Sequence, residues 1–112
     1  KYISWSSENR SQLIRIPAAT GENRRAELRS PDPLANPYIA YTLLIYAGLY
    51  GIQNKLELPD PANANLFTAD AETLANYKTL PLTLAEARKR AFDSSFVRDH
   101  LPLSLIEYFC NR

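Results

Sequence analysis

Sulfur is nearly missing from this sequence: 112 residues hold one cysteine, Cys110, and no methionine. A lone cysteine cannot close an internal disulfide and has no second sulfur with which to share a structural zinc, so a reduced compartment is the simplest reading. Its plainest role is that of a small buried apolar residue. Net charge is also small, +1, which argues against a dedicated nucleic-acid binder. No apolar run approaches the roughly 20 residues of a membrane span, and no secretory core or transit peptide is recognisable. A cytoplasmic protein is therefore expected. There is no starting methionine, and the opening residues KYISWS already look like strand, so the chain reads as a piece of a longer one. Internal repeats and low-complexity tracts are absent as well.

What is present is the composition of one soluble domain, 46% hydrophobic and 22% charged. The charge is unevenly placed. Residues 1–30 carry six basic residues (Lys1, Arg10, Arg15, Arg24, Arg25, Arg29) against three acidic ones (Glu8, Glu22, Glu27), a local +3 that leaves −2 on the remainder. A basic first quarter on a nearly neutral chain fits an anion site better than a long phosphate-tracking surface.

Three regions follow from the pattern. Strand-like alternation runs over Tyr2 to Ser6, Gln12 to Pro17 and Arg24 to Arg29, broken by the polar turns SENRS and ATGENR; a short antiparallel set is predicted. The turn cluster SPDPLANP then places Asn36 as an N-cap and Pro37 as first helical residue, where the missing N–H costs nothing. The helix from there to about Lys55 has no charged side chain before Lys55, so it is predicted to be buried on several sides. Gly48 and Gly51 inside it are each worth roughly 1 kcal/mol of lost helix stability relative to alanine, which close packing against another backbone would justify. A proline- and asparagine-rich loop, LPDPANANLF, should cross the surface. Thr83 followed by Glu86 is a capping box opening the helix LAEARKRAF, with Leu82 available as a hydrophobic staple. Ser94 or Ser95 caps a short turn through His100. Pro102 starts a last helix with Leu103, Ile106 and Cys110 along one apolar stripe. The fold class is thus α+β: short strands over about 2–30, a long buried helix over about 37–55, and C-terminal helices over about 83–111.

Chemistry concentrates in the first region. Side chains alternate along a strand, so Arg25, Glu27 and Arg29 point to one side and Ala26 and Leu28 to the other. Arg15 in LIRIP lies opposite Ile14 and Ile16, so pairing of these strands brings four charges together. A carboxylate among guanidiniums suits a hard divalent metal, with the arginines holding phosphate or carboxylate oxygens. That equipment serves phosphoryl transfer, which depends on positioning and charge neutralisation. The plainer alternative is a solvated strand face with alternating charge. Nucleic-acid binding with Trp5 and the tyrosines as stacking platforms ranks third, since most tyrosines lie in the predicted buried helix.

The segments NRSQLIRIP, RRAELRSPDPLANPYIAYTLLIYAGLYGIQNKLELP and TLPLTLAEA, in this order and spacing, resemble the C-terminal part of the catalytic domain of glutamine synthetase in its bacterial form, from about Ile3 to Phe92. The resemblance implies an ATP-dependent ligase that makes glutamine from glutamate and ammonia through a γ-glutamyl phosphate, with two magnesium or manganese ions. It implies Glu27 as a metal ligand, Arg10 and Arg29 on the transferring phosphoryl group and glutamate, and Arg15 and Arg25 on the nucleotide phosphates. On that basis the charged row would line the active site while its alternate residues pack the core. The family supplies no role for His100.

Two positions depart from the family pattern: Thr20 stands where many relatives have arginine, and Tyr50 where many have aspartate in GLDGI. The family's remaining metal ligands, most of its nucleotide pocket and the flap over glutamate lie upstream of this match. One ligand cannot hold a divalent ion firmly, so the chain alone is expected to be inactive. Two other readings stay open, a γ-glutamyl-polyamine ligase of the same fold and a non-catalytic stand-alone module. The family forms double rings of six subunits with active sites between neighbours. An exposed apolar helix face is expected to make this chain self-associate.

Overall fold

Three strands form where the alternation predicts them, each shorter than the pattern. The computed structural model describes residues 1–111, with β1 at Trp5–Ser7, β2 at Ile14–Ile16 and β3 at Glu27–Leu28, in the order β1-β2-β3. The antiparallel expectation holds for β2 with β3, but β1 and β2 run parallel, with Trp5 opposite Ile14 and Ser7 opposite Ile16. Parallel neighbours normally need a long crossover. Here the strands are so short that the loop from Glu8 to Leu13 suffices to carry the chain back to its starting end. Glu8 turns the chain in the left-handed region at φ 70°.

The chain divides into two compact units, one from residues 1–33 with 58–80 and one from residues 34–57 with the chain from Pro81 onward. In the first unit, the proline- and asparagine-rich loop crosses the surface as expected, most of its residues exposed, but turns two side chains inward. It supplies the buried Ala62 and Leu66, because its backbone groups find partners in the strand region. Ala62 N–H donates to Trp5 O at 2.8 Å, Trp5 Nε1 donates to Pro59 O at 2.8 Å, and Leu66 N–H donates to Ser11 Oγ at 2.9 Å. A loop whose backbone is paired in this way can be buried at little cost. Gln12 is fully buried and fully satisfied: its Nε2 donates to Ala64 O at 2.9 Å and Ser11 Oγ at 3.2 Å, and its Oε1 accepts from Ser4 Oγ. Asn9 Nδ2 adds a bond to Ala64 O at 3.1 Å. A bridge between Tyr2 and Thr79 ties down the end of the segment. A single helical turn absent from the sequence prediction, α2 at Ala71–Leu74, is capped by Asp70, whose Oδ1 accepts from Thr73 N–H at 2.8 Å.

The second unit is helical. Asn36 caps α1, Pro37–Gln53, its Oδ1 accepting from Tyr38 N–H at 3.0 Å and Ile39 N–H at 3.3 Å. The predicted burial of α1 is not realised in this chain. None of its residues is buried, and Tyr38, Tyr41, Ile45 and Ile52 are between 62% and 83% exposed. A helix apolar on nearly every face needs cover on several sides; within its unit α1 packs on α4, Ser95–His100, through Tyr46 against His100 and Tyr50 against Phe96. Gly48 and Gly51 likewise meet no close backbone among the described residues.

Thr83 opens α3, Leu84–Asp93, its Oγ1 accepting from Glu86 N–H at 3.2 Å. The reciprocal bond reaches one residue further back than predicted, from Leu82 N–H to Glu86 Oε2 at 2.9 Å, and Leu82 is exposed rather than stapled. Ser94 caps α4 through Val97 N–H at 3.3 Å. The last helix, α5 at Leu103–Cys110, packs on α3 and buries Ile106, with Cys110 half-buried and Leu103 exposed.

Candidate functional site

Register alone places Ser6, Arg15 and Glu27 in one row across the three strands, and residues in register on neighbouring strands share a sheet face. Arg15 Nη1 lies 3.0 Å from Glu27 Oε1 and 2.9 Å from Oε2. Arg29 Nη1 approaches Oε2 at 3.4 Å, and Arg25 Nη2 approaches Oε1 at 3.7 Å. The predicted convergence of Arg15, Arg25, Glu27 and Arg29 is therefore present in the fold. Arg15 is the most enclosed, its side chain 12% exposed, and Arg25 the least at 55%.

Each guanidinium is held from a second side by a backbone carbonyl. Arg15 Nε donates to Glu8 O at 2.8 Å, Arg29 Nε to Arg10 O at 3.1 Å, and Arg25 Nη1 to Asn23 O at 3.2 Å. Glu8 is kept in its left-handed conformation by a bond from its N–H to Ile16 O and by its carboxylate, which accepts from Ala18 N–H. The hydrogen bond from Arg15, together with the charges of Arg15, Arg25 and Arg29, holds the Glu27 carboxyl below its ordinary value against an opposing effect of desolvation.

Arg10 joins the cluster through its carbonyl, while its side chain makes none of the ion pairs to Glu27. The idea that the residues alternating with the charges pack a core does not hold on β2, where Ile14 and Ile16 are 36% and 38% exposed. The loop residues that build this unit's core pair with β1 and its following turn instead.

Three residues of the site escape sequence reasoning. Ser6 is 2% exposed and its Oγ has no partner among the described residues. Only the strand register links it to Arg15. Glu8 matters through its backbone conformation, which no residue-type signal announces. Arg24 lines, with Arg25, Glu8 and Ile16, an open cleft of about 600 Å³; its place in the basic run RRAELR was the available signal.

A family-type divalent metal finds a poor fit in this chain by itself. No group of three or more His, Cys, Asp or Glu capable of holding a metal occurs among the described residues. Both Glu27 oxygens already face guanidinium groups, and hard divalent ions require several oxygen ligands.

Residues 1–112 match the family described as glutamine synthetase, catalytic domain, a longer match than the stretch from about Ile3 to Phe92 that carries the resemblance. The chain is 48% identical over 102 residues to a glutamine synthetase of Methanosarcina mazei, covering 89% of this chain and 23% of that protein. It is 40% identical over 112 residues to glutamine synthetases of Staphylococcus epidermidis and Staphylococcus aureus, covering 98% of this chain and 25% of each. The chain thus spans about a quarter of the length of the curated relatives it matches.

Proposed function

The chain belongs to the glutamine synthetase catalytic-domain family, and from that premise we propose that it supplies the arginine cluster of an ATP-dependent ligase joining ammonia to the γ-carboxylate of glutamate through a γ-glutamyl phosphate. The observation that carries this reading is the convergence of three backbone-anchored guanidiniums on one point of the sheet. Phosphoryl transfer needs positioned positive charge where negative charge develops, and fixed guanidiniums provide it without reorganising as the reaction proceeds.

In this reading Arg29 and Arg10 contact the transferring phosphoryl group and glutamate, and Arg15 and Arg25 hold the nucleotide phosphates. Glu27 lends one carboxylate to a magnesium or manganese ion in the complete enzyme, where such an ion neutralises phosphate charge. Its other ligands come from outside these 112 residues. The chain alone therefore has no ligase activity. The complete protein is cytoplasmic and assembles as a homo-oligomer of the double-ring kind. No helix among the described residues is long and apolar enough to cross a membrane.

The test is an Arg29→Ala substitution in the full-length enzyme that carries this sequence, assayed with ammonia and with polyamines as acceptors. Turnover with ammonia should fall on the order of a hundredfold or more, the scale of losing a charge-stabilising donor, while the oligomer stays intact. Undiminished turnover, or turnover with polyamines alone, overturns the reading.

A further inference from the structure

Among the described residues only Glu8 and Lys55 are non-glycine residues with positive φ, and Glu8, at φ 70°, directly follows β1. The left-handed region is costly for a residue with a Cβ, and a chain keeps one there when surrounding bonds fix it. Three bonds fix Glu8. Its N–H donates to Ile16 O at 3.3 Å, its carboxylate accepts from Ala18 N–H, and its carbonyl accepts from Arg15 Nε at 2.8 Å. The first two grip the chain just beyond Arg15, and the third grips Arg15 itself.

A guanidinium is planar, so one contact leaves it free to pivot and two fix its plane. The first contact of Arg15 is from Nη1 to the Glu27 carboxylate, at 3.0 and 2.9 Å, an anion that Arg25 and Arg29 also approach. The second is the Glu8 carbonyl. Arg29 and Arg25 take their backbone contacts from Arg10 and Asn23, neither of which has positive φ. Arg15, the most enclosed of the three, is thus the one whose backbone anchor depends on a left-handed residue. We propose that Glu8 is the positioning residue of Arg15 and acts through its backbone: the reversal at residue 8 turns its carbonyl onto Nε and sets the guanidinium in the orientation that receives nucleotide phosphate. This role rests on the ligase reading of the cluster. It adds to that reading a residue outside the charged row, one that serves by conformation rather than by charge.

The test uses the full-length enzyme that carries this sequence, with ATP affinity read both as KM and by calorimetric titration. Glu8→Val, whose β-branched side chain is poorly tolerated at positive φ, should weaken ATP binding about tenfold and leave kcat within about threefold. Glu8→Gly, free to adopt the same φ without the carboxylate, should recover most of that loss. Glu8→Val added to Arg15→Ala should weaken ATP binding no further than Arg15→Ala alone. A purely structural role would lower the amount of active enzyme, and so kcat, while KM stayed in place. Unchanged ATP affinity in Glu8→Val beside a weakened Arg15→Ala overturns the inference and leaves the ligase reading standing, as does a Glu8→Gly enzyme as impaired as Glu8→Val. Unchanged affinity in Arg15→Ala removes the nucleotide role of Arg15 and the inference with it. If Glu8→Val fails to assemble, Glu8→Ala is read in its place, a weakening of about threefold sustaining the inference and no weakening overturning it.

Discussion

Buried residues of the first unit are mostly polar or small, Ser6, Ser11, Gln12, Pro17, Ala62 and Leu66, whereas Ile106 alone is buried among the described residues of the second. The first unit is held in shape by directional bonds: Asn9, Ser11 and Gln12 reach the backbone of Ala64 and Leu66 across more than fifty residues of sequence. The second is held by apolar helix faces, much of which stay in contact with water, as at Tyr38, Ile52, Leu84 and Leu103. Hydrogen bonds specify geometry and are costly to leave unmade, while apolar contact stabilises in proportion to the area covered and tolerates imprecision. The charged cluster sits in the unit whose interior is built from directional bonds, where positions are sharply defined. The unit rich in exposed apolar surface is the one suited to further association.

The largest expected effect that sharpens this comparison is Ile106→Ala. Removing the one aliphatic side chain buried among the described residues of the second unit should cost about 3 kcal/mol, read as a lower urea midpoint. Amide-exchange protection should fall first in α3 and α5. An equal loss of protection in the strands would break the distinction between the units.

Gln12→Ala should come next, at roughly 2 kcal/mol, because it removes the bonds that the fully buried Gln12 makes to Ser4, Ser11 and Ala64 and leaves a cavity where its side chain was. Protection should be lost first at Ala62 and Leu66, whose N–H groups bond to Trp5 O and Ser11 Oγ. A neutral outcome would show that the buried polar network does not define the first unit.

Acid sensitivity gives the smallest effect. Glu27 is lowered below 4.5 chiefly by its bond from Arg15, Asp70 below 3.8 by Thr73, and Asp93 below 3.8 by Lys89. Where the folded value is depressed, the unfolded chain takes up protons first as pH falls. The stabilisation is complete above the ordinary values and is lost as pH drops through the depressed ones. Urea midpoints should therefore be level down to about pH 5 and decline below it. Glu27→Gln should flatten the decline in strand protection more than Asp93→Asn flattens that in α3, since Glu27 meets three cations and Asp93 pairs with Lys89 in an exposed i,i+4 bridge. Equal flattening would break the electrostatic side of the comparison.

Local signals were legible in the sequence. Asn36 and Thr83 cap the helices the sequence assigns them, and of the two candidates Ser94 and Ser95 it is Ser94 that caps α4, because an N-cap side chain bonds to a backbone N–H only two or three residues away. The charged row was legible for a similar reason: a period of two places Arg25, Glu27 and Arg29 together before any partner strand is known. Asp70 is an equally local signal for α2, its Oδ1 accepting from Thr73 N–H three residues on.

The family was also legible, since dense agreement in residue order and spacing survives without knowledge of any contact. Tertiary structure alone decided the rest. The parallel pairing of β1 with β2, the burial of Ala62 and Leu66 in a loop, and the row joining Ser6, Arg15 and Glu27 all depend on bonds between segments distant in the chain. The exposure of α1 belongs here too: the composition of that helix set how much cover it needs, but only packing determines how much it receives.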